Sequence, residues 1–440
     1  MVPRTPRRSL VAIGAGGIAL SLALAGCSAG DSGSEDGKTN LTFLVDNGEA
    51  TVATAEALAE AFTAENPDIS IEVETRPQGA DGDNVVKTRL ATGEMDDIFQ
   101  YNSGSLMQAL SPDETLVNLG DEAYVDKFDE NFVESVSTDN GMYGVPMGQS
   151  MAGAVLYNKD IYAELGLEIP TTWDEFIANS EAIKAAGTAA PIVQTYGDTW
   201  TSQLFVLGDF NNVLAENPDW AEEYTNNEAK YVDEPALAGF EHLQEAFEKG
   251  LFNEDFASAT YPDGVSMVAT GAGAQYPMLT FAAGQLMTTN PEAADVVGTF
   301  PLPGPDAATN GLTVWMPTTT VFIPKSTEGD KLDAAKKFAE FLTTPESCDI
   351  QSETTAPQGP FVIEGCELPE DVPAMVSDLQ PYFDEGKTNL ALEFLSPIKG
   401  PALEQITVAV GSGITSAADG AAQYDEDVKK QAQQLGLEGW

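Results

Sequence analysis

Residues 41–74 read LTFLVDNGEATVATAEALAEAFTAENPDISIEVE, and the alternation inside this stretch sets the fold class. Leu41–Val45 is a short apolar run that predicts a first strand. Behind it Ala55, Leu58, Ala61 and Phe62 fall on one helical face, and Pro67 closes the pattern. Ile69, Ile71 and Val73 then alternate, the period of a strand. The order repeats downstream: Val85–Leu90 reads as helix, Asp97–Gln100 as a third strand and Ser105–Leu110 as a short helix. Strands alternating with helices predict an α/β domain around a largely parallel sheet. Ligands of such sheets bind beyond the carboxyl ends of the strands. Asp46, Asn47 and Glu49 lie beyond the first strand, and Gln100, Tyr101 and Asn102 at or beyond the third.

From Tyr143 the pattern restarts. Gly144-Val145-Pro146 interrupts it, and Ala152–Leu156 and Ile192–Tyr196 read as strands. Thr172-Trp173-Asp174-Glu175 is a capping box, with Thr172 as N-cap and Glu175 at the third helical position. Its helix shows Phe176, Ile177 and Ile183 on one face. Another carries Leu237, Phe240, Leu243 and Phe247 and stops at Gly250; His242 lies off that stripe and is expected at the surface. Val321–Pro324 reads as a strand, Ala334, Phe338, Phe341 and Leu342 mark a helix, and two helices with a break near Gly411–Gly413 finish the chain.

Composition narrows the function. The 440 residues carry 20 Lys+Arg against 70 Asp+Glu, a net charge of −50, which repels phosphate backbones and argues against nucleic-acid binding. Hydrophobic residues make up 42%, ample for packed cores in two or three domains despite the acid. His242 is the single histidine, which removes Ser-His-Asp and Cys-His catalysis and multi-histidine metal sites. Three scattered cysteines do not form a zinc ribbon or an iron–sulfur site.

The first 26 residues read as a signal peptide. Arg4, Arg7 and Arg8 precede an apolar run from Leu10 to about Ala25, too short and Gly-rich for a membrane span. Leu24-Ala25-Gly26-Cys27 resembles a bacterial lipobox, in which Cys27 becomes the lipidated mature N-terminus. Arg7-Arg8 also resembles a twin-arginine signal, and the export route stays open. Residues 27–40 then form a Gly/Ser/acid tether, with a reach of about 20 Å. Cys348 and Cys366 are the remaining pair. In an exported chain they are expected to form a disulfide, worth about 3 kcal/mol in the chain-entropy model.

Tyr143-Gly-Val-Pro, Tyr157-Asn-Lys-Asp, Gly166-Leu, Pro170 and Thr172-Trp-Asp-Glu-Phe together resemble the signature of family 1 extracellular solute-binding proteins, the receptors of carbohydrate-type ABC importers. Asp96–Tyr101, Gly298–Gly304 and Ile323–Ser326 resemble further blocks of that family, and Cys348–Cys366 resembles its actinobacterial members. The resemblance implies a two-lobed, periplasmic-binding-protein-like α/β fold, each lobe a mostly parallel sheet, joined by a hinge crossed three times. Residues 41–148 and 319–380 would form one lobe, 149–318 and 381–440 the other. It implies no cofactor, metal or catalytic residue. The ligand is expected to be a small carbohydrate, and the partners an ABC permease and, through the anchor, the outer face of the cytoplasmic membrane. The receptor itself is expected to be a monomer.

At positions matching the family's ligand loops the chain offers Asp46, Asn47, Glu49, Tyr101, Asn102, Gln149, Asp198, Trp200, Gln275, Trp315 and Gln358. Rings would stack on sugar C–H faces while amides and carboxylates bond the hydroxyls. Tyr101 and Trp200 are the expected stacking platforms. Structural roles compete: Trp200 and Trp315 as core, Asp198 as cap of a helix starting at Thr199, Asn47 as a turn residue. Two other functions stay open, the same receptor with a polyamine or other cation, and a secreted glycoside hydrolase using paired carboxylates.

Overall fold

In the computed structural model, which describes residues 38–440, the first stretch folds as its apolar pattern dictates. Strand β1 (Thr39–Asp46) buries Leu41, Phe43, Leu44 and Val45, a run consistent with cover on both faces. The helix Glu49–Glu65 buries Ala55, Leu58 and Phe62, and β2 (Ile69–Arg76) pairs parallel to β1 from Thr39↔Ile69 to Asp46↔Arg76. The helix Gly79–Thr92 ends at Gly93, whose φ of 71° suits only a residue without Cβ strain. Strand β3 (Ile98–Tyr101) then takes the other edge of β1, again parallel. A small hairpin, β4 (Ser137–Thr138) and β5 (Gly141–Met142), leads into β6 (Gly144–Pro146).

There the chain leaves the first sheet. All eight residues of β7 (Met151–Asn158) are buried, and a second sheet assembles around it from β8 (Ala190–Ile192), β9 (Gly273–Leu279), β10 (Val297–Pro301) and β11 (Leu312–Trp315). Strand β12 (Thr320–Phe322) returns to the first sheet, and β13 (Thr388–Leu390) joins the second. The orders are β2-β1-β3-β12-β6 and β13-β11-β7-β9-β8, with β10 also on β7. Helices cover both sheets.

The α/β class and the restart after Pro146 are as expected, but the sheets are mixed rather than mostly parallel. Strand β7 runs antiparallel to β9, β10 and β11, and β12 antiparallel to β3 and β6. The cause is connectivity: β7 carries the chain away from the first sheet and β11 carries it back. The third crossing also falls earlier than residue 380. The carbonyl of Val362 accepts from Asp129 N–H, and Ile363 bridges Phe128, in the first half. Leu368, Val372, Met375 and Val376 already pack with the second half. The strand expected over Ile192–Tyr196 ends at Ile192.

The Thr172–Glu175 capping box is present, as are the C-terminal helices Leu403–Gly411 and Ala417–Leu435. His242 is not at the surface. It stacks on Trp173 at 3.8 Å, with only 13% of its side chain exposed. Its helix, Ala238–Glu248, is enclosed by the C-terminal helices on its apolar stripe and by Trp173 on the flank, so a position off the stripe is buried too. Desolvation pulls His242 down to about 3 and pushes Asp209, 3.9 Å away, up to about 8. Cys27, the signal segment and most of the tether lie outside the described residues. Among those described, no helix is long and apolar enough to cross a membrane.

Candidate functional site

The strand ends of the first sheet are tied to the return crossing, and the hinge segments to a ring cluster of the second half. On the first sheet, Asp46 closes β1. Its carboxylate accepts from Gly48 N–H at 2.8 Å and Gln78 Nε2 at 3.0 Å, which fixes the turn into the helix Glu49–Glu65. Asn47 and Glu49 stand exposed at that helix start. The Gln100 side chain accepts from Asp46 N–H at 3.2 Å and donates to Thr318 O at 3.4 Å, tying the end of β1 to the return crossing. Half-buried Asn102 follows β3.

At the hinge itself, Gln149 is buried and bridges Phe361. Gln358 Nε2 donates to the Gln149 carbonyl at 3.4 Å, and the Gln358 carbonyl accepts from Thr280 Oγ1 at 2.7 Å. Thr280 opens the turn after β9, and Phe281 follows it. There three half-buried rings meet. Trp200 lies 5.5 Å from Tyr261 and 5.8 Å from Phe281, and Tyr261 lies 5.3 Å from Phe281. Asp198 holds the cluster by accepting from Tyr261 N–H at 2.7 Å, a carboxylate at the start of the helix Tyr261–Thr270. It does not cap the turn Thr199–Gln203 that follows it. On the first-half side, Thr54 and Thr355 hydroxyls are 3.1 Å apart, and the Thr355 methyl approaches Gly284, just past Phe281.

Gln149, Trp200 and Gln358 are thus gathered at one place through Thr280 and Phe281, with Asp198 behind them. Tyr261 and Phe281 belong to the same cluster and are absent from the sequence-based set.

Three expected ligand contacts are core instead. Tyr101, taken as a stacking platform, is 0% exposed. Its ring lies under the Arg76 guanidinium at 5.6 Å, and burial together with the Asp83 carboxylate raises its hydroxyl well above the usual range. Arg76 in turn donates to the Gln100 carbonyl at 3.3 Å, so this cluster knits β2 to β3. Gln275, also 0% exposed, accepts from Tyr162 Oη at 2.6 Å and donates to Ser180 Oγ at 2.8 Å and Pro191 O at 3.0 Å. It is mid-strand in β9, facing the helix Trp173–Ala186 rather than the strand end. Trp315 is 4% exposed with its ring over Gly153, where an added Cβ would stand 2.6 Å from it.

The family model for bacterial extracellular solute-binding proteins matches residues 46–347, and the chain belongs to that family. It is 26% identical to the multiple sugar-binding protein of Streptococcus mutans over 359 residues, 80% of this chain and 82% of that one. It is 23% identical to the melibiose/raffinose/stachyose-binding protein MelE of Bacillus subtilis over 385 residues, 82% and 84% of the two chains. Among solved structures, a chitin oligosaccharide binding protein superposes with a TM-score of 0.76 at 21% identity, covering 90% of this chain and 99% of the other. RafE in complex with raffinose superposes with a TM-score of 0.73 at 20% identity, covering 90% and 100%. The chain is therefore an extracellular solute-binding protein with a two-domain fold.

Proposed function

We propose that the protein is the substrate receptor of an ABC importer, capturing a sugar or oligosaccharide between its two halves and delivering it to a membrane permease. The observation that carries this reading is the ring cluster Trp200–Tyr261–Phe281, half-buried beside the Gln149 and Gln358 amides where the chain crosses between sheets. Rings meet the C–H faces of a sugar and amides its hydroxyls. The sugar-binding names of the relatives support it. In this account residues 41–148 and 319 to about 363 form one lobe, and 149–318 with the remainder form the other. Asp46, Asn47, Glu49 and Asn102 face the ligand from the first lobe. The receptor acts as a monomer and performs no catalysis.

Cys27, as lipidated N-terminus, would hold the body at the outer face of the cytoplasmic membrane. Cys27→Ser should release the protein from the membrane fraction; retention through washing contradicts the anchor.

A thermal-shift screen against melibiose, raffinose, stachyose, diacetylchitobiose and a set of polyamines tests the ligand class. A ligand at 100 times its Kd stabilises by about 2.7 kcal/mol, an easily read shift. A shift with polyamines and none with saccharides would move the receptor to cationic solutes. Products released from the oligosaccharides would move it to an enzyme.

A further inference from the structure

Just before the third crossing a segment of the first half, Thr355–Ile363, reaches across to the second, and the disulfide between Cys348 and Cys366 closes it into a loop. Cys348 is 1% exposed in the helix Pro345–Thr354, which packs along the helix Glu49–Glu65 of the first half. Between the two cysteines the chain touches both halves. Thr355 bonds Thr54 on one side, and the Gln358 carbonyl accepts from Thr280 on the other. The Pro360 carbonyl accepts from both the N–H and the hydroxyl of Ser150, each at 2.9 Å. At Gly359 the backbone comes so close that an added Cβ would stand 2.3 Å from the Ser150 oxygen. No helix or strand runs from Thr355 to Pro373, so the loop owes its shape to these contacts and to the bridge.

We propose that the Cys348–Cys366 bridge and the Gly359 approach are positioning elements of the ligand site. They hold this loop, and with it Gln358 and Gln149, in the arrangement that receives the solute. The inference rests on the receptor reading above. A loop released from its bridge samples many conformations, and only the competent fraction binds. The apparent Kd then rises by the inverse of that fraction.

The test compares the wild-type protein, Cys348→Ala/Cys366→Ala and Gly359→Ala. Each is titrated calorimetrically with the saccharide of the screen that binds wild type most tightly. Circular dichroism verifies the fold, and amide exchange is followed at Ser150. Both variants should keep the native spectrum and bind about tenfold more weakly, as expected if about one conformer in ten stays competent. The Ser150 amide, bonded to Pro360, should exchange faster in the double variant. Unchanged affinity with a lowered melting temperature would overturn the proposal and leave the bridge a plain stabiliser. If the double variant fails to fold, Gly359→Ala decides, and wild-type affinity there overturns the proposal. If wild type binds no saccharide, the receptor reading fails separately. The Ser150 exchange then still decides, because unchanged protection in the double variant overturns the positioning role.

Discussion

Replacing Trp200 by alanine should weaken saccharide binding by about 2 kcal/mol, roughly thirtyfold. The magnitude follows from the ring's surroundings. Trp200 leans on Tyr261 at 5.5 Å and Phe281 at 5.8 Å, and that part of its surface serves the fold. The rest stays open. A tryptophan offers about 150–250 Å² of buriable surface, and a half-buried one keeps about 80 Å² for a ligand. At about 25 cal/mol per Å² this contributes about 2 kcal/mol. Calorimetric titration reads the affinity, and melting curves without ligand control for the fold. Trp200→Phe, which keeps a ring against Tyr261 and Phe281, should retain most of the affinity. Wild-type affinity in Trp200→Ala with a native melting temperature would refute the stacking assignment. A large drop in melting temperature without ligand would show the ring to be a core pillar.

Tyr101→Phe should leave saccharide affinity unchanged and lower stability by about 1 kcal/mol, because the ring stays buried under Arg76 while the hydroxyl's interaction with the Asp83 carboxylate is lost. A tenfold loss of affinity would return Tyr101 to the ligand. Gln275→Ala should destabilise by about 2–4 kcal/mol in urea titration, since it opens a cavity and leaves the buried Tyr162 hydroxyl unpaired, yet binding by the folded protein should persist. Lost binding at wild-type stability would contradict this. Asp209 is held protonated by burial, its pKa raised from 3.8 to about 8, so it binds more protons folded than unfolded between those values. Its contribution to stability is therefore lost as pH rises towards 8. His242, pulled down from 6.5 to about 3, is still half charged in the unfolded chain at pH 6.5 and adds stability as pH rises to about 7.5, but wild type and Asp209→Asn share that gain. Across pH 6.5–8 the melting temperature of Asp209→Asn should fall less than that of wild type; parallel profiles would contradict the assignment.

Strand and helix positions were legible wherever burial follows a local period. Leu41–Val45 and Ile69–Val73 could bury their apolar residues only as strands, and the Thr172–Glu175 box marks its helix start within four residues. Strand direction was not legible. Whether β11 runs parallel or antiparallel to β7 depends on a return some 160 residues later, which leaves no local mark. His242 was misplaced because a stripe argument assumes one covered face, and its helix is enclosed. Among site residues, the strand-end rule offered Asp46 as a ligand contact, and its carboxylate fixes the turn into the next helix. The rule failed at Tyr101, which is still a strand residue inside the sheet, and at Gln275, which is mid-strand. The same rule applied to β9 points to Phe281, two residues past Leu279, so that ring was within reach of the sequence. Tyr261 was not, because only the folded chain brings the helix start after Thr260 beside Trp200.

The most direct measurement is an equilibrium titration of the purified protein with di- to tetrasaccharides, with small-angle scattering recorded on the free and saturated forms. The account predicts saturable one-to-one binding, no released products, and a smaller radius of gyration when bound, as two halves close on a ligand between them. Binding of no saccharide, or binding that leaves Trp200→Ala as tight as wild type, would contradict it.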